Sequence, residues 1–279
     1  MATIVGIPSS FNTVSIGGSV DHGTHVTNYG LDRNFHVFED DSSGYLGIGT
    51  RPAFIKQNPQ LTFAGYLSTV NAPHLRGAAC PSGTGGTATT DPTEVAMVYG
   101  SSGQGYTTSG CVVSSIQITG RPNELVSFSA EMFGEQTTVT GGPGADNSTV
   151  GFYPWELGTY GTANTLFGFS INYTTGYYPL YAMDGNQYYS GVGERLHTGT
   201  VEITMAAGAT AAAEYTKYTT RAAAQFSIVL AADNGGSGVT LTANGYYTDF
   251  NAGDQDGLYV ATATLTMHYT AAALPFIWS

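Results

Sequence analysis

Apolar and polar residues alternate along much of this chain. Over 259–269, Tyr259, Ala261, Ala263, Leu265, Met267 and Tyr269 fall on one side, and Thr262, Thr264, Thr266 and His268 on the other. That is the period of two expected of a strand with one buried face. Val126, Phe128, Ala130 and Met132 alternate in the same way with Ser127, Ser129 and Glu131. The same reading predicts strands over 26–31, 34–39, 59–66, 112–119, 166–173, 178–183, 199–206, 225–231 and 239–247. Turn clusters such as Asp40-Asp-Ser-Ser-Gly44, Asp184-Gly185 and Asp233-Asn-Gly-Gly-Ser-Gly238 separate them. Many short strands with turn-rich joints point to an all-β sandwich or barrel. Two stretches break the pattern. Asp91-Pro-Thr-Glu94 supplies an N-cap acid, a proline at the first helical position and a glutamate at the third, which predicts a short helix running through 95–99. Residues 211–224 have alanine-rich ends and a Glu214/Lys217 pair, which predicts a second helix.

The strand pattern also recurs. Sliding the chain by 144 residues sets 26–52 against 170–196 and pairs Asn28/Asn172, Tyr29/Tyr173, Asp40/Asp184, Tyr45/Tyr189, Gly47/Gly191, Gly49/Gly193 and Arg51/Arg195. Those seven identities exceed the roughly two that chance gives at this composition. After a two-residue gap, Leu61-Thr-Phe-Ala64 meets Ile203-Thr-Met-Ala206. Ser115, Ile116 and Ile118 then meet Ser227, Ile228 and Leu230, and Val126, Phe128 and Ala130 meet Val239, Leu241 and Ala243. The segments keep one order and keep their inward faces in phase, as a tandem copy of one β-fold requires. The reading divides the chain into an N-terminal arm at 1–20, a first domain at 21–140 carrying a long Gly/Ser/Thr-rich loop at 66–113, a linker at 141–165 and a second domain at 166–279.

Composition narrows the function. Of 279 residues only 10% are charged, with 8 Lys+Arg against 20 Asp+Glu and a formal net charge of −12. Gripping a duplex takes clustered cations that displace counterions from phosphate, and here the basic residues are scattered singly, which excludes tight nucleic-acid binding. An acidic wall can still let DNA pass without sticking. No run of apolar residues is long enough to span a bilayer as a helix. The opening residues lack the basic and apolar regions of a secretory signal, so no export is expected, and Cys80 and Cys111 are read as free buried thiols.

The candidate chemistry is thin. Asp21-His22-Gly-Thr-His25 has no third ligand nearby, and Asp40-Asp41 and Asp254-Gln-Asp256-Gly257 lack the closing Glu of a twelve-residue calcium loop, so these read as solvated turns. No Gly-x-Ser-x-Gly elbow occurs, and Gly83-Thr-Gly-Gly86 lacks the lysine of a phosphate loop. Asn147-Ser-Thr and Asn172-Tyr-Thr fit the glycosylation triplet by coincidence if the chain is not exported. The aromatic residues of 152–181, Trp155 among them, read as β-core or interface before sugar platform. Arg51 and Arg195 recur at matching places. They serve either as inter-subunit salt bridges or hydrogen bonds to a turn carbonyl, or as local anchors of their hairpins.

The run Val113-Ser-Ser-Ile-Gln-Ile-Thr-Gly-Arg-Pro-Asn-Glu-Leu-Val-Ser-Phe-Ser-Ala-Glu-Met-Phe-Gly134, with a helix before it, resembles the strand, tight turn and strand of the tail tube proteins, the major tail proteins of long-tailed bacteriophages. The resemblance implies two tandem tail-tube-like β-sandwich or barrel domains, each with one short helix. In this family inner strands of successive subunits join into a barrel, rings stack into a tube in the virion tail, and DNA runs through the lumen. The doubling departs from the single-domain, six-membered pattern and implies a trimeric pseudo-hexameric ring, with a hexamer as the alternative. The resemblance further implies assembly in the host cytoplasm, tape-measure, tail-terminator and baseplate partners, no membrane, no cofactor or metal and no catalysis. Expected ring-to-ring contacts are Ile4, Ile7 and Phe11 in the arm and Leu75, Tyr99 and Tyr106 in the long loop. The competing readings are a carbohydrate-binding β-sandwich module and a capsid or decoration protein.

Overall fold

The structure, a computed structural model, describes residues 13–21, 24–40, 49–68, 71–79, 92–101, 104–121, 124–141, 155–157, 166–182, 188–232, 239–255, 258–268 and 275–278; within these, 13, 19–21, 24–40, 49–57, 101, 104, 155–157, 231–232 and 255 are described as backbone only. The first half holds β1 (Thr13–Ile16), β2 (Ser19–Asp21), β3 (Thr24–Asp40), β4 (Gly49–Tyr66), α1 (Ala72–Ala79), β5 (Val95–Ser101), β6 (Gln104–Gly120), β7 (Ser127–Phe133) and β8 (Gln136–Thr140). The second half holds β9 (Trp155–Leu157), β10 (Leu166–Thr174), β11 (Tyr178–Leu180), β12 (Gly191–Gly193), β13 (Thr198–Ala206), α2 (Ala209–Thr220), β14 (Ala224–Ala232), β15 (Val239–Gln255), β16 (Leu258–Met267) and β17 (Phe276–Trp278). The chain is all-β in character, with two helices among the described residues.

Alternation decides most of these strands. Phe128, Ala130 and Met132 of β7 are buried while Glu131 is exposed, and Ala261, Ala263, Leu265 and Met267 of β16 are buried opposite a threonine face. One expectation fails. Residues 95–99 form a strand, not a helix, because Val95, Met97 and Tyr99 are buried while Ala96 is exposed, and that period of two overrides the capping residues in front of it. The first helix lies earlier, at α1, inside what reads from the sequence as a long loop. Asn71 sits just before it: the Asn71 backbone N–H donates to Ser68 Oγ at 3.3 Å, the Ser68 N–H donates to Asn71 Oδ1 at 3.0 Å, and Asn71 Nδ2 donates to the Tyr66 carbonyl at 2.8 Å. The expected loop 66–113 therefore contains α1, β5 and the start of β6. Helix α2 falls where its alanines predict, starting and ending a few residues earlier.

Topology sets the two halves side by side. In the first, β1 pairs β5, β3 pairs β4, β4 pairs β7, β7 pairs β6, and β6 also pairs β5 and β8. In the second, β9 pairs β14, β10 pairs β13, β13 pairs β16, β16 pairs β15, and β15 also pairs β14 and β17. Every pairing is antiparallel and, β2 and the β11–β12 hairpin aside, the order of elements is the same, with α1 against β6 and α2 against β15. β11 and β12 form a short hairpin beyond the ends of β10 and β13, as the outer part of the β3–β4 hairpin does in one piece.

The agreement extends to register. β6 and β15 are each 17 residues long. Each passes from a small sheet into a large one: the first part of β6 pairs β5 and β8 and its second part pairs β7, while the first part of β15 pairs β14 and β17 and its second part pairs β16. Both carry a bulge just after the crossing, between Val113 and Ser115 on β6 and between Tyr247 and Asp249 on β15. Val113 lies opposite Met132 and Ile116 opposite Ala130; Tyr247 lies opposite Leu265 and Phe250 opposite Ala263. Ile116 therefore corresponds to Phe250 and Ala130 to Ala263. The sequence comparison pairs Ile116 with Ile228 of β14 and Ala130 with Ala243 of β15, one strand too early, and pairs Tyr29 with Tyr173 and Leu61 with Ile203, where the strand pairings match Tyr29 to Ile171 and Leu61 to Val201. Reading β5 as a helix had removed one strand from the first half.

The halves meet edge to edge. The second part of β6 pairs β10, with Ile118 opposite Ile171 and Ile116 opposite Tyr173. A single antiparallel run of eight strands results, in the order β3-β4-β7-β6-β10-β13-β16-β15. One hydrophobic cluster beneath it contains Phe63, Ile118, Phe128, Phe169, Phe226 and Phe276, so the two halves share a core.

Candidate assembly surface

Polar side chains are held in place first around the second hairpin. His197 is 3% exposed; its Nδ1 lies 2.7 Å from the Tyr173 hydroxyl, its Nε2 bonds Glu194 Oε1, and its ring stacks on Tyr173. A Tyr–His–Glu chain has the order of a nucleophile, base and orienting acid. Tyr173 is itself 3% exposed and its ring packs on Phe276, so the tyrosine end is shut inside the core while Glu194 reaches the surface, and the chain ties β10 to the entrance of β13. Beside it the Arg195 guanidinium lies over the Tyr178 ring at 4.7 Å, and the Arg195 N–H donates to the Gly176 carbonyl at 3.0 Å. Gly176 has φ +73°, and a Cβ there would stand 2.8 Å from the Arg195 carbonyl oxygen. These Arg195 contacts are local to its hairpin. Arg51 lies on β4 where only the backbone is described.

A second cluster joins the halves. Tyr189, before β12, puts its hydroxyl between Glu94 Oε1, at 3.0 Å, and the Gly110 carbonyl oxygen, and its ring packs edge-on against Phe133. Val112 and Tyr177 complete this small apolar cluster. Burial, then the Glu94 carboxylate, push the phenol well above its ordinary range, so Tyr189 is a permanent donor. Gly110 has φ +59°, and a Cβ there would meet the Tyr189 hydroxyl at 2.8 Å. Next to it, Cys111 is buried and unbonded to another cysteine, and burial pushes its thiol far up, which makes it inert as a nucleophile. Cys80 lies outside the described residues.

The large sheet presents a polar face away from the core. It carries the exposed carboxylates Glu131, Glu202 and Asp249 among serines, threonines and amides. Ser115 Oγ donates to Glu131 Oε2 at 3.1 Å, Gln117 Nε2 to Ser170 Oγ at 3.4 Å, and Thr248 and Thr266 hydroxyls lie 3.0 Å apart. From residue 58 onward the strands of this sheet contain no Lys or Arg. Short hydroxyl side chains bonded to one another dominate this surface, and among the described residues its strands carry only negative charge, with Arg121 at the end of β6 beside Glu202.

The sheet ends at β3 on one side and at the second part of β15 on the other, and among the described residues neither has a further strand beside it. Next to the β15 edge runs an open groove of about 400 Å³ between α2, β15 and β16, lined by Ala207, Ala211, Tyr215, Phe250, Ala252 and Ala261. Tyr215 is 50% and Tyr259 64% exposed here. Long unpaired edges beside apolar surface are what natural sheets cover or block.

The residues expected at ring-to-ring contacts are scattered. Leu75 and Tyr99 turn into the chain's own core, at 0% and 5% exposure, because they lie on the apolar faces of α1 and β5. Tyr106 is half-buried and stacks on Tyr99, while Ile4, Ile7 and Phe11 lie outside the described residues. The β15 edge and its groove escaped the sequence reading. Their signal, alternation continuing past 247 into Phe250 and Ala252, was hidden by the bulge at Thr248, which shifts the phase by one. No protein-family model matches this chain, and no curated protein matches it.

Proposed function

We propose that this chain is the structural subunit of a tail tube like those of long-tailed bacteriophages, in which copies join side by side into rings and the rings stack around a channel for DNA. The observation that carries the reading is the β6–β10 junction. One half of the chain already extends the sheet of a like-built half by strand pairing, and among the described residues the sheet is open at both ends. A unit that adds to its own kind by a non-reciprocal contact generates a ring when the rotation closes and a filament when it does not. Closure leaves no free strand edges, and the twist of an antiparallel sheet favours it.

In such a ring the packed layer of small sheets and helices lies outside, where the circumference is larger, and the polar face lies inside. Glu131, Glu202 and Asp249 then line the channel. Two like-built domains per chain make three chains the counterpart of a six-membered ring. The low charge of the chain also fits, since interfaces between subunits are depleted of charge.

Negative-stain microscopy of the purified protein tests this. Rings or stacked tubes are expected, with native mass spectrometry giving three copies of the 29.1 kDa chain per ring. A chain that stays monomeric at high concentration in every buffer overturns the proposal, and a monomer that binds glycans favours the carbohydrate-binding alternative. Shells or capsid-bound spikes favour a capsid or decoration protein.

A further inference from the structure

We infer that the second part of β15, with the groove beside α2, is the socket for β3 of a second copy of this chain, in the register that β6 and β10 use within one copy. The inference rests on the ring-forming reading and names the strands that make the joint. β6 and β15 are matched by length, by neighbours and by the bulge, so Ile116 and Ile118 correspond to Phe250 and Ala252. Their surroundings differ in one respect. Ile116 and Ile118 are 3% and 0% exposed because β10 pairs alongside them, whereas Phe250 is half-buried and Ala252 exposed on an edge without that neighbour. Among the described residues the second half carries the same apolar strand without that cover.

The missing cover is the counterpart of β10, which is β3. β10 pairs β13 on its other side as β3 pairs β4, and β3 is the opposite end of the eight-strand run. The pairings also give the register. Leu61 lies opposite Met132 as Val201 lies opposite Leu265, so Leu61 corresponds to Val201; their partners Tyr29 and Ile171 then correspond as well. Ile171 pairs Ile118, and Ile118 corresponds to Ala252. Tyr29 of one copy therefore faces Ala252 of the next, and Leu31 faces Phe250. Within one copy the two edges are seven strand spacings apart, about 33 Å along the sheet, so they cannot pair with each other unless it curls shut.

The test uses the full chain with Ala252→Lys, which places a charge on the β15 edge where the free chain already exposes the residue. The expected result is a folded protein, with wild-type circular dichroism and melting, that has lost ring formation and elutes as a monomer. Leu196→Lys, at an unrelated position 70% exposed, is the control and assembles normally. A second measurement does not depend on disruption: in a Cys80→Ser background, Tyr29→Cys with Ala252→Cys forms disulfide-linked multimers under mild oxidation, while either cysteine alone gives monomers. If wild-type chains assemble but Ala252→Lys assembles equally well and the cysteine pair does not cross-link, the ring-forming reading stands and this joint is wrong. Wild-type protein that never assembles overturns both.

Discussion

At the scale of single residues, most of what fixes the junction between the halves has no signature in the sequence. Tyr189 stands out in the sequence only as the match of Tyr45, and its work depends on Gly110, a glycine in a polar run that offers no hint of a φ of +59°. Chemistry at these positions is easier to predict from the structure. Cys111 is buried beside Gly110, and its thiol, held by burial far above the ordinary thiol range, stays protonated when the same thiol in the unfolded chain ionises. The unfolded state then binds fewer protons than the folded one, so stability is full below pH 9 and declines as pH rises past it. One such group contributes a slope of up to about 1.4 kcal/mol per pH unit. Urea midpoints measured from pH 8 to 10.5 are expected to fall, and Cys111→Ala is expected to flatten part of that fall. An unchanged profile in the variant would mean that the thiol is accessible in the native state.

At the scale of elements, the strands were legible wherever one face is buried and the other carries serine or threonine, as in β7, β10, β13 and β16. Helices were less legible. Asp91-Pro-Thr-Glu94 has the chemistry of a helix start, yet the residues after it alternate, and burial of Val95, Met97 and Tyr99 outweighs a cap contributing about 1 kcal/mol. Conversely α1 is eight residues long and contains Gly77, too weak in propensity to be seen. Its support is tertiary: four of its residues are buried, and Asn71 fastens its start through both ends of one amide. Asn71→Ala is expected to destabilise the protein by roughly 2 kcal/mol, because it leaves the Ser68 N–H and the Tyr66 carbonyl without that partner. Asn71→Asp keeps the acceptor, loses the donor and should fall in between. Denaturant unfolding of the three proteins measures the order, and a neutral Asn71→Ala would assign the start of α1 to packing alone.

At the scale of the whole molecule, the correspondence that side-chain identities suggest differs from the one that the strand pairings draw, because identity of side chains and identity of pairing need not coincide. Only the matched bulges of β6 and β15 align the halves without ambiguity. In the proposed ring, size follows from strand spacing. Eight strands from each of three chains, about 4.8 Å apart, give a circumference near 115 Å and a backbone diameter of roughly 37 Å before strand tilt widens it. Side chains leave most of that width open, whereas two chains would close to about two thirds of it. A channel of this kind needs a wall that repels phosphate, which is a role for Glu131 and Glu202 on the polar face and for the absence of cations from 58 onward in that sheet. Converting both to lysine changes the charge by four per chain, without touching the strand edges. Tubes assembled from Glu131→Lys/Glu202→Lys protein are expected to retain linear duplex DNA in low salt and release it as salt rises, the dependence expected of counterion release. Wild-type tubes should let the same DNA pass at every salt concentration. DNA held tightly by wild-type tubes would mean that the polar face is not the channel wall, because its strands from 58 onward carry no cation and Arg121, at the end of β6, stands beside Glu202.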